Sequence, residues 1–148
     1  MKRQSKGGFL ISKIHQISGR IFTNLLKRSK LDMINTAQGR IMFPLWGEDG
    51  ISIAELTKET ALTKSTLTSM LDRLEEAGYL QRVPSKTDRR KILIYLTEEG
   101  KKLQTRYASI SQEMTDIFYE GFSDSEIEEF ERYLEKILQN LIKIQNSI

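Results

Sequence analysis

The spacing of apolar side chains changes twice along this chain. Up to Ala77 they recur mostly at steps of three and four, the period of an α-helix. Beyond Gly78 the period drops to two: Tyr79-Leu80-Gln81-Arg82-Val83 and Ile92-Leu93-Ile94-Tyr95-Leu96 are rich in β-branched and aromatic residues, and they flank Pro84-Ser85-Lys86-Thr87-Asp88-Arg89-Arg90-Lys91. This reads as one hairpin with a basic tip. Helical spacing resumes after Thr97, so the expected class is mainly α with a small β-hairpin.

Composition narrows the function. The chain has 148 residues, of which 39% are apolar, enough for one core and too few for two catalytic domains. It has no Cys, which excludes disulfides, Cys-ligated zinc or iron–sulfur centres and thiol sensing, and fits a reducing compartment. With a single His, a His-rich metal site is not expected, and no cofactor is. Apolar runs such as Ile41–Trp46 fall far short of the ~18 residues a bilayer span needs. At the N-terminus the apolar stretch stops after Phe9, Leu10 and Ile11, too short for a secretory signal. The expectation is a cytoplasmic protein without membrane partners.

The net charge of +3 hides an asymmetry. Residues 1–30 hold eight basic and no acidic side chains, whereas 111–148 hold three basic and nine acidic. Such polarity suits a molecule that lays one surface on a polyanion and keeps another away, though solvated helix faces would give the same sums.

Local signals place the helices. Leu10, Ile14, Ile17, Ile21 and Leu25 form a stripe on a helix over 9–28 whose other side carries Lys13, Arg20 and Lys27. Asn35-Thr36-Ala37-Gln38 has capping-box spacing and opens a helix to Gly47, with Pro44 expected to bend its end. Ser52-Ile53-Ala54-Glu55 is a second capping box, before a short helix from Ile53 to Thr60. Thr63 caps the next, which buries Leu67, Met70, Leu71, Leu74 and Ala77 and ends at Gly78, where left-handed geometry is wanted. Thr97 caps a long helix with Leu103, Tyr107, Ile110, Met114 and Ile117 as its buried stripe. Ser123-Asp124-Ser125-Glu126 is a third capping box, opening a helix striped by Ile127, Phe130, Leu134, Ile137, Leu141 and Ile144. A stripe so long and regular is better buried against a partner than left in water, although packing within one copy would also cover it.

Helix, short helix, tight turn, helix, basic hairpin is the order of a winged helix-turn-helix, whose second helix enters the major groove while the hairpin touches backbone or minor groove. The outer face of that helix holds Lys64, Ser65, Thr66, Thr68, Ser69 and Arg73, short hydroxyls and cations suited to phosphates and base edges. A cap needs one hydroxyl, and four lie beyond Thr63. The hairpin tip supplies Lys86, Arg89, Arg90 and Lys91 against one acid, Asp88, which is expected to orient an Arg through a bidentate pair. Enzyme readings lack support: Lys64-Ser65-Thr66 has no upstream phosphate-cradling glycines, and the adjacent acids Glu75-Glu76, Glu98-Glu99 and Glu128-Glu129 read as solvated faces.

These residues resemble the MarR family of winged-helix transcription regulators. The likeness runs through Thr66–Leu80, then Arg82, Asp88-Arg89-Arg90 and Leu96-Thr97-Glu98-Glu99-Gly100, combining Leu-x-x-Leu-Glu-x-x-Gly, Asp-x-Arg and Leu-Thr-x-x-Gly. The resemblance implies a homodimer interlocked through its first and last two helices, double-stranded DNA as partner, and often a small aromatic or lipophilic effector between lobe and dimer region. It puts the Asp-x-Arg pair on Asp88 and Arg90, with Arg90 nearest the minor groove and Arg89 beside it. His15, Phe22, Met42, Phe43, Trp46 and Tyr107 would bound the effector crevice, although all six also read as packing residues.

The combined expectation is one domain over 1–148, with a DNA-binding lobe over 34–96 and dimerisation helices over 1–30 and 97–148. The function expected is that of a sequence-specific regulator, a repressor on a pseudo-palindromic operator. The rival is a winged-helix module that docks on a protein and does not read DNA.

Overall fold

The computed structural model describes residues 5–31, 34 and 36–148, with backbone only at 36 and 37. Contacts group the chain into two compact units, Met1–Gln112 and Glu113–Ile148.

The first unit holds helices α1 (Gly7–Arg28), α2 (Thr36–Gly47), α3 (Ile53–Thr60) and α4 (Lys64–Glu76), strands β1 (Ile51–Ser52), β2 (Leu80–Pro84) and β3 (Ile92–Leu96), and most of α5 (Glu98–Phe118). The strands form an antiparallel sheet in the order β1-β3-β2, with Ile51 opposite Ile94 and Arg82 also opposite Ile94 from the other side. The expected hairpin is therefore present, and a third strand joins it. β1 is only two residues long, too short to show a period. It is fixed from outside: Gly50, at φ 78°, donates to the Ile94 carbonyl at 2.9 Å, and Asp49 Oδ1 accepts the Leu96 amide at 2.9 Å.

Capping sets the helix boundaries. Ser52 Oγ accepts the Glu55 amide at 3.1 Å, but among the described contacts only this half of the expected box forms. Thr63 Oγ1 accepts the Thr66 amide at 3.3 Å and starts α4. α4 stops as its glycine predicts: Gly78 sits at φ 88°, its amide donating to the Glu75 carbonyl and that of Tyr79 to the Leu74 carbonyl, both at 3.0 Å. The α3–α4 turn is less expected, because Ala61 takes the left-handed conformation at φ 57° with no glycine to mark it. Thr60 holds that turn, donating to the Leu56 carbonyl at 2.7 Å and accepting the Leu62 amide at 3.3 Å. α2 runs through Pro44 to Gly47. The capping box expected at Asn35 lies outside the described residues.

The lobe core joins α2, α3, α4 and the sheet through Ile41, Met42, Leu45, Leu56, Leu67, Leu71, Leu74, Leu80 and Ile94, all fully buried or nearly so. Leu25 and Leu26 at the end of α1 and Leu103, Tyr107 and Ile110 of α5 are also buried, and Arg106 donates to the Ser29 carbonyl at 2.6 Å.

The second unit comprises the end of α5, a turn with Gly121 at φ 85°, and α6 (Asp124–Ser147). Here the capping box is complete: Ser123 Oγ accepts the Glu126 amide at 3.2 Å, and Glu126 Oε1 accepts the Ser123 amide at 2.9 Å. Tyr119 packs edge-on against Phe118, Phe122 and Phe130 and donates to Glu131 at 3.0 Å.

The expected apolar stripes are only partly buried. α6 buries no residue: Ile137, Leu141 and Ile144 are exposed, and Ile127, Phe130 and Leu134 are half-buried. Ile117, expected inside on α5, is exposed, as are Leu10, Ile14 and Ile17 on α1.

Candidate nucleic-acid interface

α4 buries Leu67, Leu71 and Leu74, which turns its remaining face to solvent. On that face Lys64, Ser65, Thr66, Ser69 and Arg73 are exposed and Thr68 is half-buried. Ser65, Thr66, Ser69 and Arg73 line one shallow groove with Met70. Two hydroxyls are already engaged at the helix start, since Thr63 donates to Thr66 Oγ1 at 2.9 Å and lies 3.5 Å from Ser65 Oγ.

The tip between β2 and β3 is built by its own polar residues. Ser85 Oγ accepts the amides of Thr87 at 3.3 Å and Asp88 at 3.2 Å, and backbone bonds run from Ser85 to Lys91 at 2.9 Å and from Lys91 to Asp88 at 3.0 Å. Asp88 Oδ1 accepts the Arg90 amide at 3.0 Å and meets Arg90 Nε only at 3.5 Å. The bidentate pair expected of Asp88 is therefore not made; its main work is to fold the turn. That leaves the Arg90 side chain 92% exposed, with Lys86 and Arg89 also in solvent.

Helix and tip converge. Lys64 at the start of α4 and Arg90 and Lys91 of the hairpin line one recess, floored by Ser52, Ile53 and Ala54 where α3 begins, with Thr57 and Ile92. Three cations around a single concavity make a local positive surface.

One arrangement escaped the sequence reading. Arg82 on β2 donates to Glu75 of α4 from its amide at 2.9 Å, from Nε at 3.2 Å and from Nη2 at 2.7 Å, and Nη2 also meets Asp72 at 2.6 Å. Glu75 is thus an ion-paired acid and not a free one. Its side-chain hydrogen bond to Arg82 holds the carboxyl below its ordinary range and, in return, raises the guanidinium. Arg82 lay within the recognised motif, but a seven-residue separation gave no sign of its partner.

Of the six crevice residues, Phe22, Trp46 and Tyr107 come together. Phe22 and Trp46 pack on Tyr107 at ring distances of 5.6 and 4.9 Å, Trp46 Nε1 donates to the Gly100 carbonyl at 3.1 Å, and burial pushes the Tyr107 phenol up to about 12. Met42 is a fully buried core residue and Phe43 is 69% exposed, because neighbours on a helix point about 100° apart. His15 lies exposed on α1, along a groove with Gln16, Arg20 and Asn24.

Residues 34–92, which enclose this helix and tip, match the family model described as MarR family. Over these residues the chain is similar to that family. The chain is 34% identical over 86 residues to the HTH-type transcriptional regulator TtmR of Methylorubrum extorquens, covering 58% of this chain and 43% of that protein. With the regulator PecS of Dickeya dadantii it shares 36% over 92 residues, covering 62% and 55%. The match thus spans about half the length of these relatives. Among solved structures, a mutant MarR from E. coli complexed with operator DNA superposes with a TM-score of 0.78 at 29% identity, covering 88% of this chain and 92% of that one. TtmR and PecS are both transcriptional regulators of the HTH type.

Proposed function

We propose that the chain is a sequence-specific transcriptional regulator that grips double-stranded DNA through α4 and the hairpin wing and acts as a repressor. The observation that carries this reading is the shared recess of Lys64, Arg90 and Lys91 beside the hydroxyl-lined groove of α4. Side chains on a rigid helix can meet base edges while the wing cations bind backbone or a narrow minor groove. Lys64, Ser65, Thr66, Thr68, Ser69 and Arg73 are assigned to the helix contacts, and Lys86, Arg89 and Arg90 to the wing, with Asp88 as its organiser.

The working unit in this reading is a homodimer. Support comes from the exposed apolar residues Leu10, Ile14 and Ile17 of α1 and Ile137, Leu141 and Ile144 of α6. A two-fold dimer would set its recognition helices on half-sites ~10–10.5 base pairs apart, or a multiple, in a pseudo-palindrome. Control by a small aromatic effector is assigned to the Phe22, Trp46 and Tyr107 cluster; as the only Trp in the chain, Trp46 would report such a ligand by its fluorescence.

Binding measured across a salt series tests the DNA reading. A reader that neutralises Z phosphates loses log affinity with log salt at a slope of about −0.9Z, and Arg90→Ala lowers that slope by about one per subunit. Ser65→Ala or Thr66→Ala weakens a specific site by about 1–3 kcal/mol per lost base contact and leaves random DNA unaffected. A protein that selects no duplex and has no salt slope would instead be a protein-docking module.

A further inference from the structure

Arg82 is a half-buried cation beside the proposed DNA surface, held by the protein. Its guanidinium and amide make three hydrogen bonds to Glu75, and Nη2 also pairs with Asp72. The two carboxylates stand one turn apart on α4, and Arg82 stands on β2. The recognition helix and the first strand of the wing are thereby tied by directional bonds. Apolar contacts among Leu71, Leu74, Leu80 and Ile94 also join them, but apolar burial is non-directional and fixes no angle.

Beyond Arg82 the hairpin stays paired up to its turn. Val83 is opposite Leu93, Pro84 is opposite Ile92, the Ser85 amide donates to Lys91 and the Lys91 amide to Asp88. A constraint applied at Arg82 is therefore carried to Arg90 at the tip. The same guanidinium offsets the charge of two carboxylates on a helix meant to approach phosphate.

We propose that Arg82 is a positioning residue for DNA recognition: by clamping β2 to Asp72 and Glu75 it sets the wing cations at the separation from α4 at which both reach one duplex. The inference rests on the DNA-binding reading above. Arg82 itself need touch no nucleic acid.

A double-mutant cycle on the full chain tests it, using a duplex selected by the unaltered protein from a random-sequence pool and thermal melting to verify each fold. Arg90→Ala should weaken binding by about tenfold in the unaltered protein, yet by less than about twofold once Arg82→Gln has released the wing. Arg82→Lys, which keeps the charge but loses the planar fork, should fall between. Equal losses from Arg90→Ala in both backgrounds, or full affinity in Arg82→Gln, would overturn the assignment. Should Arg82→Gln fail to fold, Glu75→Gln replaces it in the same cycle, where a shrunken Arg90→Ala loss supports the clamp and an equal loss overturns it. If the unaltered protein selects no duplex at all, the DNA-binding reading falls first, an outcome distinct from additivity.

Discussion

Gly100 has no room for a methyl group, because a Cβ there would overlap the carbonyl of Tyr79. That carbonyl also accepts the Thr97 amide at 3.1 Å, while Thr97 Oγ1 donates to the Gly78 carbonyl at 2.5 Å and accepts the Gly100 amide at 3.2 Å. Thr97 and Gly100 therefore seat the start of α5 against the end of α4, and the Leu-Thr-x-x-Gly pattern acquires a mechanical reason. Ala normally gains about 1 kcal/mol over Gly inside a helix. Here Gly100→Ala should instead destabilise by about 1–3 kcal/mol, read from urea unfolding, since the obstacle is backbone. Glu75 gives a pH prediction. Arg82 depresses its folded pKa, so its contribution is complete above the unfolded value and is lost as pH falls through the folded one. The difference in urea midpoint between the unaltered protein and Glu75→Gln should therefore be widest near neutrality and close below about pH 4.

Among the elements, α6 depends on its own signals. Ser123 and Glu126 cap it reciprocally, and no α6 side chain is buried. Ser123→Ala should cost about 1 kcal/mol, seen as a lower melting temperature. Such local pairs span three or four residues, which is why Ser52, Thr63 and Ser123 could be read from the sequence, as could Gly78. The turn at Ala61 could not, because its left-handed backbone is held by Thr60 and not by a glycine. β1 was illegible for a similar reason: two residues have no period, and Ile51 and Ser52 become a strand only when β3 pairs with them. The candidate interface divides the same way. The cations and hydroxyls of α4 and the tip are evident from composition and phase, whereas the role of Asp88 in folding the turn needed the geometry at Arg90.

For the whole molecule, the outstanding demand is cover for exposed apolar surface. Leu141 is 62% exposed, with Ile137 and Ile144 on the same helix also in solvent. In the proposed dimer, the pair Ile137→Glu and Leu141→Glu should yield a monomer by sedimentation, and binding to a two-half-site duplex should fall by far more than binding to a single half-site. A dimer unaffected by both charges would place the interface elsewhere. Taken alone, the sequence determined where helices begin and end, where the hairpin lies, and which face of α4 carries hydroxyls, because each of those features is settled by neighbours within a turn or a strand pair. Only the tertiary structure decided that Arg82 belongs to Glu75 and Asp72, that Trp46 reaches Gly100, and that Met42 and Phe43 part company between core and solvent. Those outcomes depend on which elements pack together, and packing joins residues whose distance along the chain says nothing of their distance in space.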